Sequence, residues 1–233
     1  EKFIYNRYNI VICISKSVES NLRKWMGKRL KTNVIKNFVD LQEVQKQKSI
    51  KRADIQTLES DKLLVMVGSF RNDGSKDQKT LIKTMKLLPE HLKLVFIGDG
   101  ILRKQVESFA YENELYKRVI FLGLRTDVYS ILKACDYGIL SSNWEGFGIA
   151  VLEYMACGLP ALGTNIQGLK DLLQSPNARF KAGDFQELAQ KITYFENHSQ
   201  QRLLMIEQQN KFIKNFSLSQ AAKQHHEVYQ SLF

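Results

Sequence analysis

The stretch that decides the fold runs from Tyr137 to Glu153 and reads Tyr-Gly-Ile-Leu-Ser-Ser-Asn-Trp-Glu-Gly-Phe-Gly-Ile-Ala-Val-Leu-Glu. An apolar run predicts a buried strand, two glycines around Phe147 predict a turn, and a helical pattern begins at about Gly148. Such a turn leaves backbone N–H groups unpaired beside the positive end of a helix dipole, and its glycines let the backbone approach a ligand closely. The stretch therefore predicts an anion site between two carboxylates, Glu145 and Glu153.

Strands and helices alternate on both sides of this stretch. Single helices separate predicted strands at 63–68, 92–98, 119–123 and 137–140, and further strands at 160–163 and 179–181 precede helices at about 184–197, 200–214 and 218–232. This alternation predicts an α/β fold, a Rossmann-like open parallel sheet with helices on both faces. Ligands of such sheets bind beyond the carboxyl ends of the strands, which is where most of the glycines fall.

Composition and charge exclude several classes of protein. Hydrophobic content of 44% and charged content of 25% are those of a soluble globular protein. No apolar run approaches the roughly 18 residues of a membrane span. The net charge of +10 is local, because residues 1–52 hold 13 of the 34 basic residues and only four of the 24 acidic ones. A general nucleic-acid binder is therefore not expected. Cys13, Cys135 and Cys157 are predicted to be buried, reduced thiols of a cytosolic protein.

The basic segment includes a predicted amphipathic helix that begins after Ser15 or Ser17. Its apolar stripe comprises Val18, Leu22, Trp25, Met26 and Leu30, and its basic side comprises Arg23, Lys24, Lys28, Arg29 and Lys31. Two interpretations stay open. The helix is either an ordinary surface helix with a solvated basic side or a helix that rests on an anionic membrane surface.

Charged groups near the predicted strand ends suggest chemistry. The loop after the strand at 63–68 contains Arg71 and Lys76. The planar guanidinium of an arginine and the compact ammonium of a lysine together suit a diphosphate, although two solvated loop charges would give the same sequence pattern. Glu145 and Glu153 alone could be the acid and base of a glycosidase. The Gly-Phe-Gly turn between them favours a phosphate site, with both carboxylates left to accept hydrogen bonds from sugar hydroxyls.

Several common motifs are incomplete or absent. Gly98-Asp99-Gly100 begins a Gly-x-Gly-x-x-Gly fingerprint, but Arg103 stands at its last position, which weakens an NAD hypothesis. The sequence contains neither a P-loop nor a Gly-x-Ser-x-Gly nucleophile motif. Its four histidines have no partners at metal-ligand spacing, so no metal site is predicted.

Residues 145–168 resemble the Glu-x₇-Glu region of the retaining GT4 glycosyltransferases, which have the GT-B fold. The match includes Glu145-Gly-Phe-Gly-Ile-Ala-Val-Leu-Glu153, the Gly158-Leu-Pro160 helix stop and Gly168. Segments 67–82, 97–103 and 121–128 also fit the C-terminal domain of that family, so the resemblance covers residues 62–233. One position departs from the family pattern, because Ser69 stands where an arginine is usual.

The resemblance implies a role for each matching residue. Three would be catalytic: Glu145 would contact the donor sugar, and Arg71 and Lys76 would neutralise the leaving diphosphate, with Arg71 replacing the arginine missing at Ser69. Glu153 would bind the ribose of the donor, the region around Leu122 to Arg125 would bind its base, and the turn would bind its sugar and phosphate. The donor-binding residues implied by the resemblance are therefore Gly68, Leu122, Arg125, Gly146, Phe147, Gly148, Ile149 and Glu153. No cofactor or metal is expected, because the cations and the helix N-terminus would stabilise the charge on the phosphate.

The resemblance also implies a division of the chain. Residues 1–45 would be the tail end of the N-terminal acceptor domain, 46–61 a linker, 62–216 the Rossmann-like donor-binding domain, and 217–233 a helix that crosses back toward the N-terminal domain. Since most of the acceptor domain is absent from this sequence, the chain by itself is expected to be inactive.

The expected function is that of the donor-binding half of a retaining, hexosyltransferase-type glycosyltransferase of polysaccharide biosynthesis. It would bind a nucleotide-diphospho-sugar and serve a glycan or lipid-linked acceptor that the missing domain holds. Two alternatives stay open: a sugar-nucleotide epimerase of GT-B-like fold, and a non-catalytic nucleotide-binding module. The expected location is the cytoplasm, and the membrane interpretation of the basic helix would add peripheral contact at the inner membrane face.

Overall fold

A six-stranded, fully parallel sheet forms the centre of the protein, which we describe from a computed structural model of residue 5, residues 7–27 and residues 30–232. The strands lie in the order β5-β4-β3-β6-β7-β8. They are β3 (Lys62–Val67), β4 (Leu92–Ile97), β5 (Val119–Phe121), β6 (Tyr137–Leu140), β7 (Ala161–Thr164) and β8 (Arg179–Phe180). The strand order reverses between β3 and β6, as in doubly wound folds. The α/β fold class predicted from the sequence is confirmed.

Helices follow the strands in the predicted order. They are α1 (Lys16–Met26), α2 (Leu41–Lys46), α3 (Gln78–Met85), α4 (Arg103–Glu112), α5 (Val128–Leu132), α6 (Ile149–Ala156), α7 (Phe185–Asn197), α8 (Ser199–Phe212) and α9 (Leu218–Gln230). Short polar side chains mark where several of them begin, because a side-chain oxygen can accept a bond from an otherwise unpaired N–H group of the first turn. Asp77 caps α3, Asp184 caps α7 and Ser217 caps α9 in this way.

The central strands are covered on both faces. All four residues of β6 and the middle four of β3 are buried, which explains why both strands are continuous apolar runs instead of alternating patterns. Helix α3 contacts α4 and α7, while α6 contacts α8. The core therefore lies between the sheet and its helices, and it leaves the loops at the strand ends to form the site.

The polar segment 41–61 is more ordered than its sequence pattern suggests. It contains α2 and a 3₁₀ turn (Arg52–Ile55), each with a single buried apolar residue, Val44 and Ile55, which is too few to produce a visible period. The segment is tied to α5 and the residues after it, since Ile50 N donates to Ser130 O at 3.2 Å and Lys133 Nζ donates to Gln47 O at 2.6 Å. The division of the chain into domains stays a prediction.

The N-terminal segment forms a small unit of its own. β1 (Val11–Cys13) pairs in parallel with β2 (Thr32–Val34), and α1 connects them after the predicted cap Ser15, whose side chain accepts a bond from Val18 N. The last helix lies beside this unit. Val39 forms a parallel bridge with Ser217, and residues 33–35 line one cleft together with Gln224 and Val228 of α9.

The structure bears on the two interpretations of α1. No residue of α1 is fully buried, yet Val18, Leu22 and Trp25 of its apolar stripe line a cleft that faces the rest of the protein. That orientation favours an ordinary surface helix, and membrane contact stays a prediction. Lys28 and Arg29 of the predicted basic side lie outside the described residues. Across the described ranges, no helix is both long and apolar enough to cross a membrane.

Arg118 provides a test of the fold. This arginine is 5% exposed, and its guanidinium donates to the backbone oxygens of Leu88, Pro89 and Leu92 in the connection between α3 and β4. Arg118→Met would remove the guanidinium donor from the carbonyls of Leu88 and Leu92, while Pro89 O would keep its bond from Leu92 N. We therefore expect the free energy of unfolding to fall by about 2–4 kcal/mol in urea denaturation.

A matched control removes only the ion pair of Arg118. Glu90 contacts Arg118 at 3.2 Å, but its side chain is 88% exposed, so Glu90→Gln should cost less than about 1 kcal/mol. Equal losses in the two variants would show that the surface ion pair, and not the bonds to the backbone, holds this connection.

Candidate active site

Two predicted site residues, Lys76 and Glu145, meet at the switch point of the sheet. The loop after β3 and the loop after β6 start from neighbouring strands and lie against each other. Lys76 forms an antiparallel bridge with Ser142, Asp77 N donates to Ser141 O at 3.0 Å, and Asn143 N donates to Ser75 O at 2.8 Å. The two loops therefore form one surface at the carboxyl ends of the strands, where ligands of doubly wound sheets bind.

Lys76 and Glu145 form an ion pair across these two loops. Lys76 Nζ contacts Glu145 Oε1, and both side chains are largely buried. Ser142 Oγ donates to the same carboxylate oxygen at 2.9 Å. The other oxygen, Oε2, accepts no hydrogen bond from the described residues. The pair thus holds a cation and a carboxylate with one free oxygen side by side, and Ser142 is a site residue that the sequence analysis missed.

The turn after β6 presents unpaired backbone donors, as predicted. Among the described residues, the N–H groups of Gly146, Phe147, Gly148, Ile149 and Ala150 find no acceptor. Gly148 has φ +86° and is the residue from which α6 begins. The side chain of Phe147 points into the core, with its ring centroid 6.1 Å from that of Phe216, so only its backbone remains for a ligand.

Glu153 lies in the second turn of α6 and is largely buried. Burial raises the pKa of its carboxyl to about 7, and no described group donates a hydrogen bond to it. An unpartnered, desolvated carboxylate is costly for a fold and is typical of a functional site. Glu153 is therefore the clearest candidate for a group that accepts hydrogen bonds from a bound ligand.

Tyr154, next to Glu153, fixes α6 against the sheet. The tyrosine is fully buried, and its hydroxyl accepts a hydrogen bond from Val67 N at 2.7 Å, at the end of β3. A Cβ at Gly138 would lie only 2.2 Å from the Tyr154 ring, so this glycine of β6 makes room for it. The sequence analysis missed this residue, because nothing in the local pattern distinguishes it from other core aromatics.

Several glycines at the strand ends allow neighbouring loops to pack closely. A Cβ on Gly98 would lie 2.2 Å from Gly68 O, and one on Gly100 would lie 2.5 Å from Phe70 O. A Cβ on Gly168 would lie 2.3 Å from Glu145 O. At these positions the glycines allow neighbouring loops to approach each other closely, which keeps Gly68 and Glu145 in place.

Arg71, Leu122 and Arg125 make no hydrogen bond or ion pair with Lys76, Glu145 or Glu153 in the described structure. Arg71 is exposed and makes no ion pair with another described residue. Hydrogen bonds from Ser75 lower the pKa of Asp73 in the same loop, and the charge of Arg71 adds a smaller effect. Leu122 is half-buried, while Arg125 is exposed and bonded to Asp127 by two hydrogen bonds of 2.7 and 2.8 Å. Their contact with a ligand stays a prediction. Within the described part of the chain, no group of three or more metal-ligating side chains is found.

Gly168 tests the loop packing around Glu145. Gly168→Ala must displace the backbone of Glu145 and also bear an unfavourable φ of +94°, so we expect it to lower the free energy of unfolding by about 3 kcal/mol or more. Gly158 is the matched control, since its φ is +78° and its Cβ would meet nothing within 4 Å. Gly158→Ala should cost only about 1–2 kcal/mol in the same denaturation experiment. Similar losses of stability in the two variants would contradict the close contact between Gly168 and the backbone of Glu145.

Glu153 makes stability depend on pH. Its folded pKa of about 7 lies above the ordinary value of 4.5, so the folded protein holds an extra proton between these values, and stability falls as the pH rises through this window. Glu153→Gln should remove this slope and raise the free energy of unfolding at pH 8 by about 1–3 kcal/mol. Urea denaturation at pH 5 and pH 8 measures the effect, and an unchanged slope in the variant would contradict it.

Comparisons with known proteins agree with this geometry. The family model described as "Glycosyl transferases group 1" matches residues 47–215. N-acetyl-alpha-D-glucosaminyl L-malate synthase of Bacillus anthracis is 26% identical over 175 residues, which are 74% of this chain and 46% of that protein. N-acetylgalactosamine-N,N'-diacetylbacillosaminyl-diphospho-undecaprenol 4-alpha-N-acetylgalactosaminyltransferase of Campylobacter jejuni is 26% identical over 163 residues, which are 70% of this chain and 43% of that protein.

A solved structure extends the comparison to the fold. The crystal structure of Anabaena HepE in complex with UDP and glucose superposes with a TM-score of 0.87 at 22% identity, covering 97% of this chain and 64% of that one. The chain spans about half the length of the curated relatives it matches. Since the family model covers most of its length, the chain belongs to the group 1 glycosyl transferases and has the Rossmann-like sheet of the GT-B fold.

Proposed function

We propose that this chain binds the donor, a nucleotide-diphospho-sugar, for a retaining glycosyltransferase whose acceptor is a glycan or a lipid-linked glycan. The observation that carries the proposal is the contact between Lys76 and Glu145 beside a run of unpaired backbone N–H groups. A cation and a helix N-terminus together suit a phosphate, and a carboxylate with a free oxygen suits a sugar hydroxyl. The names of the compared proteins support the same chemistry, since one was solved with UDP and glucose and another is named for a diphospho-undecaprenol substrate.

Each group of the site has a task in the proposed reaction. The bond between the sugar carbon and the diphosphate oxygen breaks, the electron pair leaves with the phosphate, and an acceptor hydroxyl forms the new bond and passes its proton to the departing phosphate oxygen. Lys76 and the N–H groups of the turn after β6 would stabilise the charge that grows on the phosphate. Arg71, which is exposed in the same loop as Lys76, would approach the diphosphate when the donor binds.

The two glutamates would orient the donor. Oε1 of Glu145 is occupied by Lys76 and Ser142, which leaves Oε2 to accept a hydrogen bond from a sugar hydroxyl. Glu153, unpartnered in the described structure, would accept bonds from the ribose hydroxyls, and the pKa of its carboxyl would fall as those bonds form. The region around Leu122 to Arg125 would lie at the base, while Gly68 would leave space beside Lys76. No metal or other cofactor is assigned a task.

A nucleotide panel tests the proposal. Calorimetric titration with UDP, GDP, ADP and their sugars should show binding of one base, and Lys76→Met should weaken it by about 10–100-fold because a charged contact with phosphate is lost. Lys104→Met, which removes an exposed lysine of α4, is the matched control and should change affinity less than twofold. Failure of every nucleotide to bind the folded chain would refute the proposal.

Glu153 gives a second test with a pH signature. Glu153→Gln should weaken nucleotide binding by about 10-fold at pH 8, where the wild-type carboxyl is ionised. Wild-type affinity should fall below pH 7 as the carboxyl protonates, while the affinity of the variant should stay flat. Glu207→Gln, at an exposed position of α8, is the control. A wild-type affinity that does not change between pH 6 and pH 8 would contradict the role of Glu153 at the ribose.

A further inference from the structure

A cleft of about 530 Å³ opens between α1 and the turn after β6. Trp25 of α1 and Trp144 of the turn both line it, and they are 41% and 56% exposed. These are the two tryptophans of the sequence. Glu145 and Gly146 also line the cleft, so it adjoins the proposed donor site. Large aromatic rings left in contact with water beside a polar site are characteristic of binding surfaces for amphipathic ligands.

Apart from Glu145, the polar side chains that line the cleft are uncharged groups that can both donate and accept hydrogen bonds. Asn21 and Gln167 are exposed, and their side-chain amides have no hydrogen-bond partner among the described residues. Asn143 donates to Gly74 O at 2.9 Å, which leaves its amide oxygen available. Amides of this kind match hydroxyl groups, which are likewise donors and acceptors at once.

The charge of the lining selects between ligand classes. Glu145 is the one charged residue on the cleft wall within the described ranges, and no lysine, arginine or histidine lines it there. This carboxylate is already paired with Lys76, which does not line the cleft, so a phosphate, sulfate or carboxylate bound there would find no cation of its own. A neutral polyhydroxylated ligand has no such cost, and its ring faces can pack on the two tryptophans.

We propose that this cleft binds the neutral saccharide part of the acceptor, with Trp25 and Trp144 against its sugar rings. The inference rests on the proposed function and adds to it, because it assigns part of the acceptor site to this chain. Ser15 Oγ donates to Gly146 O at 2.7 Å, so the α1 wall is anchored to the turn. Any diphosphate that an acceptor carries would then lie outside the cleft.

Tryptophan fluorescence measures occupancy of the cleft directly, since both tryptophans line it. The experiment titrates the chain with maltotriose, chitobiose and lactose, with and without a saturating amount of the nucleotide that binds tightest in the calorimetric panel. We expect a saturable change in tryptophan emission with at least one of these neutral sugars. Lactobionate, an anionic counterpart of lactose, should bind at least fivefold more weakly than lactose or produce no change.

Substitutions locate the binding. Asn21→Ala and Gln167→Ala keep both tryptophans and should each weaken saccharide binding about fivefold, the effect of losing one hydrogen bond. Asn197→Ala on α7 is the matched control and should have no effect. By calorimetry, Trp144→Ala should weaken binding about 10-fold or more, and Trp144→Phe should restore part of the loss. All five variants should bind the nucleotide within twofold of the wild type.

Four outcomes would overturn the inference while the nucleotide still binds: no response to any neutral sugar, equal binding of lactobionate and lactose, wild-type saccharide affinity in Asn21→Ala and Gln167→Ala, or a response only to anionic phospholipid vesicles. The last would indicate a membrane-facing surface instead. If no nucleotide binds, the proposed function fails first. The calorimetric panel therefore distinguishes the failure of the proposed function from the failure of the acceptor cleft.

Discussion

The divergence of β3 from β6 is the constraint on which the candidate site depends. These neighbouring strands pair at only two positions, Leu64 with Tyr137 and Val65 with Gly138. Beyond these two pairs, the N–H group of Val67 donates to the hydroxyl of Tyr154 instead of to a neighbouring strand. Since the connections from the two strands run to opposite sides of the sheet, a crevice opens where they part. The loops after β3 and β6 form the bottom of this crevice, where Lys76 pairs with Ser142.

Of the two carboxylates at the site, one has a cationic partner and the other has none among the described residues. Lys76 and Glu145 compensate each other, so their burial is tolerated in the absence of a ligand. Glu153 has no such partner, and burial raises the pKa of its carboxyl to about 7. The fold therefore carries a destabilising group at a position where an incoming hydroxyl could relieve it. Arrangements of this kind, in which stability is lower so that a site is ready for its ligand, are common in enzymes.

The N-terminal segment takes part in the site although it lies outside the main sheet. Ser15 serves two purposes, since its hydroxyl caps α1 and also donates to Gly146 O in the turn after β6. A Cβ on Gly146 would approach Ile14 and Val18, which shows how closely this segment packs on the turn. The apolar stripe of α1 is consequently directed at the cleft, and the amphipathic pattern that also suggested a membrane surface has a partner within the protein.

The sequence by itself determined the order of strands and helices and the family, because each depends on residues within a few positions of one another. Apolar runs, the cap at Ser15 or Ser17, and the Glu-x₇-Glu segment are all patterns of this local kind. The tertiary structure alone decided what the residues do together. Lys76 meets Glu145 across 69 positions of sequence. The roles of Gly98 and Gly168 depend on loops that only the folded sheet places beside them. The raised pKa of Glu153 comes from burial, which no local pattern encodes.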